Sequence, residues 1–309
     1  MKEYTFRYGD GTVEIPLDER CVLGELHGNR VLPIGDIPAA LDAALNAPVD
    51  APALKDWLSP NDRVCLIISD MSRFWMRQDR VIPPLVDYLN RAGVPDAQIT
   101  ILVANGTHIG GGERDLRTLT TDAIYDRIRI VNHDCLADDL VEIGVTSLGT
   151  PVRINPIAAH ADKVICLGAC THHVMAGFGG GRKSILPGVS AMETICHNHA
   201  FALDPACLRS NPRIGNGKTV DNPLNDDMCE AAGMVRNLYM VNLVMNDEMQ
   251  LAEIYAGHYL KSWEKACEAV DRIYRVDVPE RADMIIASCG GYPKDMSLYQ
   301  GTKTIDNVE

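Results

Sequence analysis

The sequence predicts an α/β fold: a mainly parallel sheet with flanking helices, an N-terminal β-hairpin and the start of a second α/β domain. Two observations predict the sheet. The runs RVCLIIS (63–69), QITILVA (98–104) and KVICLG (163–168) are short and almost wholly apolar, as strands covered on both faces are. Helix-length stretches alternate with them, which is the rhythm of parallel strands joined by helical crossovers.

The elements follow in chain order. Residues 4–15, YTFRYGDGTVEI, alternate on both sides of Gly9-Asp10-Gly11 and predict a hairpin. Asp36 is placed to cap a helix running to about Asn46, with Pro38 in its first turn. The strand at 63–69 leads through a polar loop to a helix near 81–92, and strands at 98–104 and 127–133 come next. VEIGVT and TPVRIN form a polar hairpin around Ser147 to Gly149. After the strand at 163–168 come a glycine-rich stretch and a helix near 190–202. A strand at 237–245, a helix near 260–273 and a strand at 282–288 complete the set. The best domain boundary is Pro279 to Arg281, which gives 1–278 as one domain and 279–309 as the beginning of another.

Composition removes several classes of function. The chain has 309 residues, 46% of them hydrophobic and 23% charged, with a formal charge of −13. That balance opposes non-specific nucleic-acid binding, which needs a basic surface. No apolar run approaches the roughly 20 residues of a membrane span, and Met1 to Pro16 has no signal-peptide core. Ten cysteines are scattered from Cys21 to Cys289 without a CxxC pair. They read as reduced, mostly buried thiols of a cytoplasmic protein.

Ligands of open α/β sheets bind beyond the carboxyl ends of the strands. Those positions carry Asp70-Met71-Ser72-Arg73, Asn105-Gly106-Thr107-His108, Ala169-Cys170-Thr171-His172-His173 and Cys289-Gly290-Gly291-Tyr292-Pro293. The densest segment is 172–188, HHVMAGFGGGRKSILPG. Gly177, Gly179, Gly180 and Gly181 permit close approach of backbone N–H groups to an anion. Arg182 and Lys183 add positive charge, and Ser184 could start a helix. The combination suggests a phosphate cradle. It is not a Walker A loop, because Arg182 stands where that pattern has glycine. His197 and His199 lie about 200° apart on a helix, so only one of them can face a common ligand. His27, His133, His160 and His258 have no such company and read as structural.

Taken together, HHVMAGFGGGRKSILPG, the downstream HNH (197–199), SDMSR (69–73), LVANGTH (102–108) and GGYPKDMSLYQGTK (290–303) resemble the nickel-pincer lactate racemase family over nearly the whole chain. The resemblance implies a nicotinic-acid-derived mononucleotide that holds nickel through sulfur, carbon and sulfur and is joined to a lysine by a thioamide. Lys183 matches that lysine, with the preceding glycines and Arg182 around the phosphate. His199 matches nickel's fourth ligand, and three soft donors plus an imidazole suit square-planar Ni(II). His108 and His173 match the paired acid/base histidines, one for each face of the substrate carbon. Arg73 and Lys303 match carboxylate-binding positions, and Asp70, Tyr299 and Gln300 supporting polar ones. The implied activity is racemisation or epimerisation of a 2-hydroxy acid by reversible hydride transfer, with cofactor-biosynthesis enzymes as partners.

The sequence departs from the family pattern in places. Phe74 replaces a proline, and Val174 and Met175 replace two aromatic residues. These changes point to a larger or more polar 2-hydroxy acid, such as a dicarboxylate or a sugar acid. Family members also continue into a substantial second domain, of which 279–309 would be only the first part. Two other readings remain open. One is a cofactor-holding domain without turnover. The other is a different α/β enzyme that binds a phosphate-bearing ligand, with Lys183 as an electrostatic clamp.

Overall fold

The computed structural model describes residues 1–207, 209–278, 280–292, 294, 295, 297, 298, 301 and 304. Strands β1 (Lys2–Tyr8) and β2 (Gly11–Leu17) form the hairpin expected at 4–15, with Tyr8 opposite Gly11. Helix α1 (Ile37–Asn46) starts where the Asp36 carboxylate accepts the Ala39 N–H at 3.0 Å, the side-chain cap its sequence predicts. Then follow α2 (Leu54–Trp57), β3 (Val64–Ser69), α3 (Ile82–Arg91), β4 (Ile99–Ala104), α4 (Glu113–Thr120), α5 (Asp122–Tyr125) and β5 (Arg129–Asn132). The polar hairpin is β6 (Val141–Val145) with β7 (Pro151–Ile154), followed by α6 (Pro156–Ala159) and β8 (Lys163–Cys170). A two-residue pairing of β9 (His172–His173) with β10 (Gly177–Phe178) precedes α7 (Met192–Ala200). The chain continues through β11 (Leu203–Asp204), β12 (Arg209–Ser210), α8 (Pro223–Gly233), β13 (Leu238–Met245), β14 (Leu251–His258) and α9 (Lys261–Tyr274).

Six strands make the central sheet in the order β14-β13-β8-β3-β4-β5. All neighbours are parallel except β13 and β14. The apolar runs are buried on both faces, as expected. Leu66 and Ile68 of β3 pack with Leu41 and Leu45 of α1 and Leu85 and Leu89 of α3. Cys65 and Ile67 face the other way, toward Ile195 of α7 and Leu224 and Met228 of α8. Each fully buried aliphatic side chain contributes roughly 1.5–3 kcal/mol. A third cluster places Trp263, Ala266 and Val270 of α9 against Phe178 and Val244.

The chain moves from β3 outward to β4 and β5, then returns to lay β8 on the opposite side of β3. The crossovers therefore diverge at the carboxyl ends of β3 and β8, which is where a ligand crevice is expected in such sheets.

Three differences from the expected elements stand out. The strand expected at 163–168 runs on to Cys170, because β13 keeps pairing with it as far as Val244. Strand β14, not anticipated, closes the sheet as an antiparallel edge. The strand expected at 282–288 is not formed, and Met284 and Ile285 are exposed. An apolar run becomes a strand only beside a partner that bonds its backbone; among the described residues no strand pairs with it, and the Ser288 hydroxyl donates to Arg7 O of β1 instead. The following loop, expected at the sheet edge, packs on the hairpin turn: Tyr292 N–H donates to Gly9 O at 3.0 Å, and Asp295 accepts Gly9 N–H at 2.7 Å. No helix of the described residues is long and apolar enough to cross a membrane.

Candidate active site

Asp70, the first residue beyond β3, is buried and turns its carboxylate toward the loop after β4. Its Oδ2 lies 2.6 Å from His108 Nδ1, and its Oδ1 accepts the Ser72 hydroxyl at 2.6 Å. Burial pushes the Asp70 carboxyl up, but the hydrogen bonds from His108 and Ser72 and the nearby Arg73 charge outweigh it and hold the group below its usual range. An ionised carboxylate accepts only, so His108 donates from Nδ1, and its Nε2 carries the lone pair. The Arg73 guanidinium donates to the Ser72 hydroxyl at 2.7 Å, which draws it into the same network.

Beside this dyad is a cavity of about 270 Å³, lined by Asp70, Met71, Asn105, Ile109, Asp115 and Asn132 among others. Its polar wall is rich in acceptor oxygens. Phe74, one of the departures from the family pattern, faces a separate open groove beside Arg117 and is stacked by Arg77 at 5.5 Å.

On the other side of the crevice, the β9–β10 turn brings His173 to Lys183, with Nε2 and Nζ 2.8 Å apart. The Nδ1 atom of His173 accepts the backbone N–H groups of Met175 and Ala176, each at 3.2 Å. His172 faces away, 2.8 Å from Asp271 and against the Phe178 ring.

The glycine-rich segment is closed on itself. Gly179 N–H donates to Thr171 O at 2.7 Å and Gly181 N–H to Asn242 Oδ1 at 3.1 Å. A Cβ on Gly181, whose φ is +50°, would come within 2.7 Å of the Trp263 ring, and one on Gly180, φ +67°, within 2.9 Å of Ala169 O. Glycine is required at both positions by backbone angle and by close packing. Gly177 is likewise in the positive-φ region, against Lys218 O.

Arg182 departs from its expected place beside an anion. It is 1% exposed and donates to Ala176 O, Phe178 O and Asn225 Oδ1, with its guanidinium 3.8 Å from the Trp263 ring centroid. Its donors rivet the segment from within, so its charge does not face the crevice. Ser184 ends a single 3-10 turn, Gly181–Ser184, and no α-helix starts there. The anion-binding helix N-terminus anticipated at this point is therefore not formed.

Of the two histidines on α7, His197 bonds Thr150 Oγ1 at 2.9 Å, while His199 places Nδ1 3.0 Å from Ile195 O. A carbonyl can only accept, so His199 keeps its proton on Nδ1 and carries its lone pair on Nε2. Burial, then the Lys183 charge, holds its imidazole below the usual histidine range. A neutral imidazole with its second nitrogen tied to a carbonyl is the ligand-ready form. His133 is a buried structural histidine bonded to Ser190 O and Asn155, as expected. Tyr299, Gln300 and Lys303 lie outside the described residues.

Sequence reasoning missed the part played by α9. Trp263 donates its indole N–H to Gly179 O at 2.9 Å, Cys267 Sγ lies 3.6 Å from Cys170 Sγ, and Asp271 bonds His172. These residues recur every four positions, so one helical stripe grips the segment at three points. Only that spacing, together with the tryptophan, could have signalled it.

Residues 8–208 match the family described as lactate racemase N-terminal domain. The chain is 31% identical to a lactate racemase of Thermoanaerobacterium thermosaccharolyticum over 261 residues, covering 84% of this chain and 59% of that protein. It is 29% identical to a lactate racemase of Lactiplantibacillus plantarum over 270 residues, covering 87% and 62%. The structure of the lactate racemase apoprotein from Thermoanaerobacterium thermosaccharolyticum superposes with a TM-score of 0.86 at 28% identity, covering 98% of this chain and 70% of that one. A Thermotoga maritima protein shares the fold, with a TM-score of 0.60 at 20% identity over 77% of this chain and 58% of that one. The chain thus spans about three fifths of the length of these two relatives. By the match to its N-terminal domain, it belongs to the lactate racemase family.

Proposed function

We propose that the chain supplies the cofactor-binding part of a racemase or epimerase of 2-hydroxy acids, with Lys183 as the tether of a nickel-pincer mononucleotide. What supports this reading is that the His108–Asp70 pair and the His173–Lys183 pair both stand beyond the carboxyl ends of sheet strands, with a ligand-ready His199 in the electrostatic reach of Lys183. The residues present fit such a group. Lys183 is half-buried next to the crevice, and His199 offers a neutral Nε2 within the electrostatic reach of Lys183. When bound, the group supplies a hydride acceptor.

The protein's own work is to bind, orient and move a proton. Arg73 presents a planar fork to the substrate carboxylate, and Lys303, Tyr299 and Gln300 are assigned supporting contacts. His108 takes the substrate hydroxyl proton at Nε2, and Asp70 stabilises the imidazolium that results. His173 is the acid/base group at the opposite face: with Nδ1 accepting two backbone N–H groups, its neutral ring has an Nε2 proton to give. Gly177, Gly179, Gly180, Gly181, Arg182 and Ser184 shape the segment that presents Lys183 beside the nucleotide. Domain 1–278 holds these parts, and 279–309 begins the domain that would cover them.

The acceptor-rich cavity beside Asp70 favours a substrate with hydroxyl donors beyond its C2 atom. Asp70 and Asp115 in its wall repel a second carboxylate, so a sugar acid suits it better than a dicarboxylate.

Intact mass and nickel content of the protein co-produced with cofactor-making enzymes test the reading. An adduct is expected that disappears in Lys183→Ala, with nickel that falls in His199→Ala while the adduct stays. A panel of 2-hydroxy acids then reports racemisation. No adduct and no nickel would leave Lys183 as a plain electrostatic clamp, and an adduct without turnover would leave a holding domain.

A further inference from the structure

We propose that Cys170 and Cys267 form an oxidation site whose disulfide locks the glycine-rich segment to α9. Cys170 is the last residue of β8, and Cys267 lies in the middle of α9. Their Sγ atoms are 3.6 Å apart, the separation of two sulfurs in contact. Both cysteines are free and buried. The meeting is imposed by the helix on either side of it. One turn before Cys267, Trp263 is bonded to Gly179 O, and one turn after it, Asp271 is bonded to His172. With both flanking contacts made, Cys267 is held opposite Cys170.

The surroundings set the resting state. Burial, then the hydrogen bond and charge of Cys170, push the Cys267 thiol up, and the Arg182 charge only partly opposes them. The thiolate is the reactive form, so at neutral pH the pair rests reduced until an oxidant arrives. Cys267 is 8% exposed and Cys170 2%. Such a site admits a small oxidant and not a bulky disulfide.

The oxidant class is therefore a hydroperoxide. The Cys267 sulfur, as thiolate, attacks a peroxide oxygen. An S–O bond forms, the O–O bond breaks, and the departing hydroxide takes up a proton and leaves as water. The Cys170 sulfur then attacks the sulfenic sulfur. An S–S bond forms, the S–O bond breaks, and a second water leaves with the Cys170 proton. The two thiols give up two electrons in all, and one hydrogen peroxide is reduced to two waters. The second sulfur is already in contact, so the sulfenic acid is captured before it is oxidised further.

The bond changes what the segment can do. Thr171, His172 and His173 follow Cys170 directly in the chain. While the thiols merely touch, this stretch can part from α9 by breaking hydrogen bonds. Once they are joined, it cannot. The link also spans 97 residues of chain, and a cross-link over such a length restricts the unfolded state.

The full chain tests this after reduction with dithiothreitol, removal of the reductant and treatment with hydrogen peroxide near neutral pH. Remaining thiols are blocked with N-ethylmaleimide in denaturant, and peptides are read by mass without reduction. Exposed Cys21 in the same sample is the internal reference. The expected result is a peptide pair joined through Cys170 and Cys267 that dithiothreitol separates again. Hydrogen exchange of residues 171–183 is expected to be at least about tenfold slower in the oxidised chain than in the reduced one, with β3 and β4 unchanged. In Cys267→Ser both the link and the slowing are expected to vanish, and unchanged exchange in β3 and β4 shows that the variant folds. The comparison of oxidised with reduced wild type decides by itself if that variant does not fold. A pair still reduced when Cys21 is oxidised would overturn the inference. So would linkage of either sulfur to another cysteine, or a linked chain whose 171–183 segment exchanges as fast as before. Neither cofactor nor 2-hydroxy acid enters the experiment, so its outcome is separable from that of the racemisation assays.

Discussion

A carboxylate 2.6 Å from an imidazole decides which ring nitrogen keeps its proton, and at His108 that is Nδ1. Asp70→Asn removes the charge that stabilises the imidazolium and lets the ring flip. In the loaded enzyme kcat is expected to fall by about two to four orders of magnitude, with cofactor mass unchanged; a kcat within threefold of wild type would refute the role. His133 offers a test of stability. Burial holds its imidazole below the usual histidine range, against the opposing pull of Ser190 O. The unfolded chain binds a proton as pH falls through about 6.5, while the folded chain resists it until lower pH. Stability is therefore present above that value and lost as pH drops toward the folded one. Urea unfolding at about pH 7 and pH 5.5 should show this loss, and a shallower dependence in His133→Gln. At this scale much of the proposed site was legible in the sequence: Asp70, His108, His173, Lys183 and His199 all carry polar chemistry just beyond a strand or on one helix. Arg182 was not. A cation after a glycine run reads as an anion ligand, but its burial is imposed by Trp263 and Asn225, which lie far along the chain.

Elements hold these residues in place, and α9 does so for the most delicate segment. Trp263 covers Gly181, stacks on Arg182 and donates to Gly179 O. Trp263→Ala is expected to cost about 3–5 kcal/mol of stability, measured by denaturant unfolding, and to loosen the 177–183 segment to hydrogen exchange more than β3 or β4. Equal loosening throughout would make Trp263 an ordinary core residue. The hairpin, α1 with its Asp36 cap and the parallel strands were legible because each rests on local chemistry or on unbroken apolarity. Strand β14 was missed because its glutamate, tyrosine and histidine break the apolar run, as an edge strand permits. The run at 282–288 misled for the converse reason, since its apolarity says nothing about whether a neighbour is present to pair with it.

For the whole molecule, the order β14-β13-β8-β3-β4-β5 puts the reversal of the crossovers between β8 and β3, and the two histidine pairs stand at that reversal. Fold class and crevice follow from the strand rhythm. The proposed substrate does not, because the cavity beside Asp70 is assembled from the loops after β3 and β4, from α4 and from residues of β4 and β5.

The grip of α9 also bears on the order of assembly. Its contacts with the segment at Cys170, His172 and Gly179 bridge 97, 99 and 84 residues of chain. Pairings of such long range form late, after the local turns and the first parallel strands. As the chain leaves the ribosome, β3, β4 and β8 can meet while Trp263 is still unmade, and the lysine segment then has no clamp. The segment that carries Lys183 is therefore set in its final place only when the last helix docks.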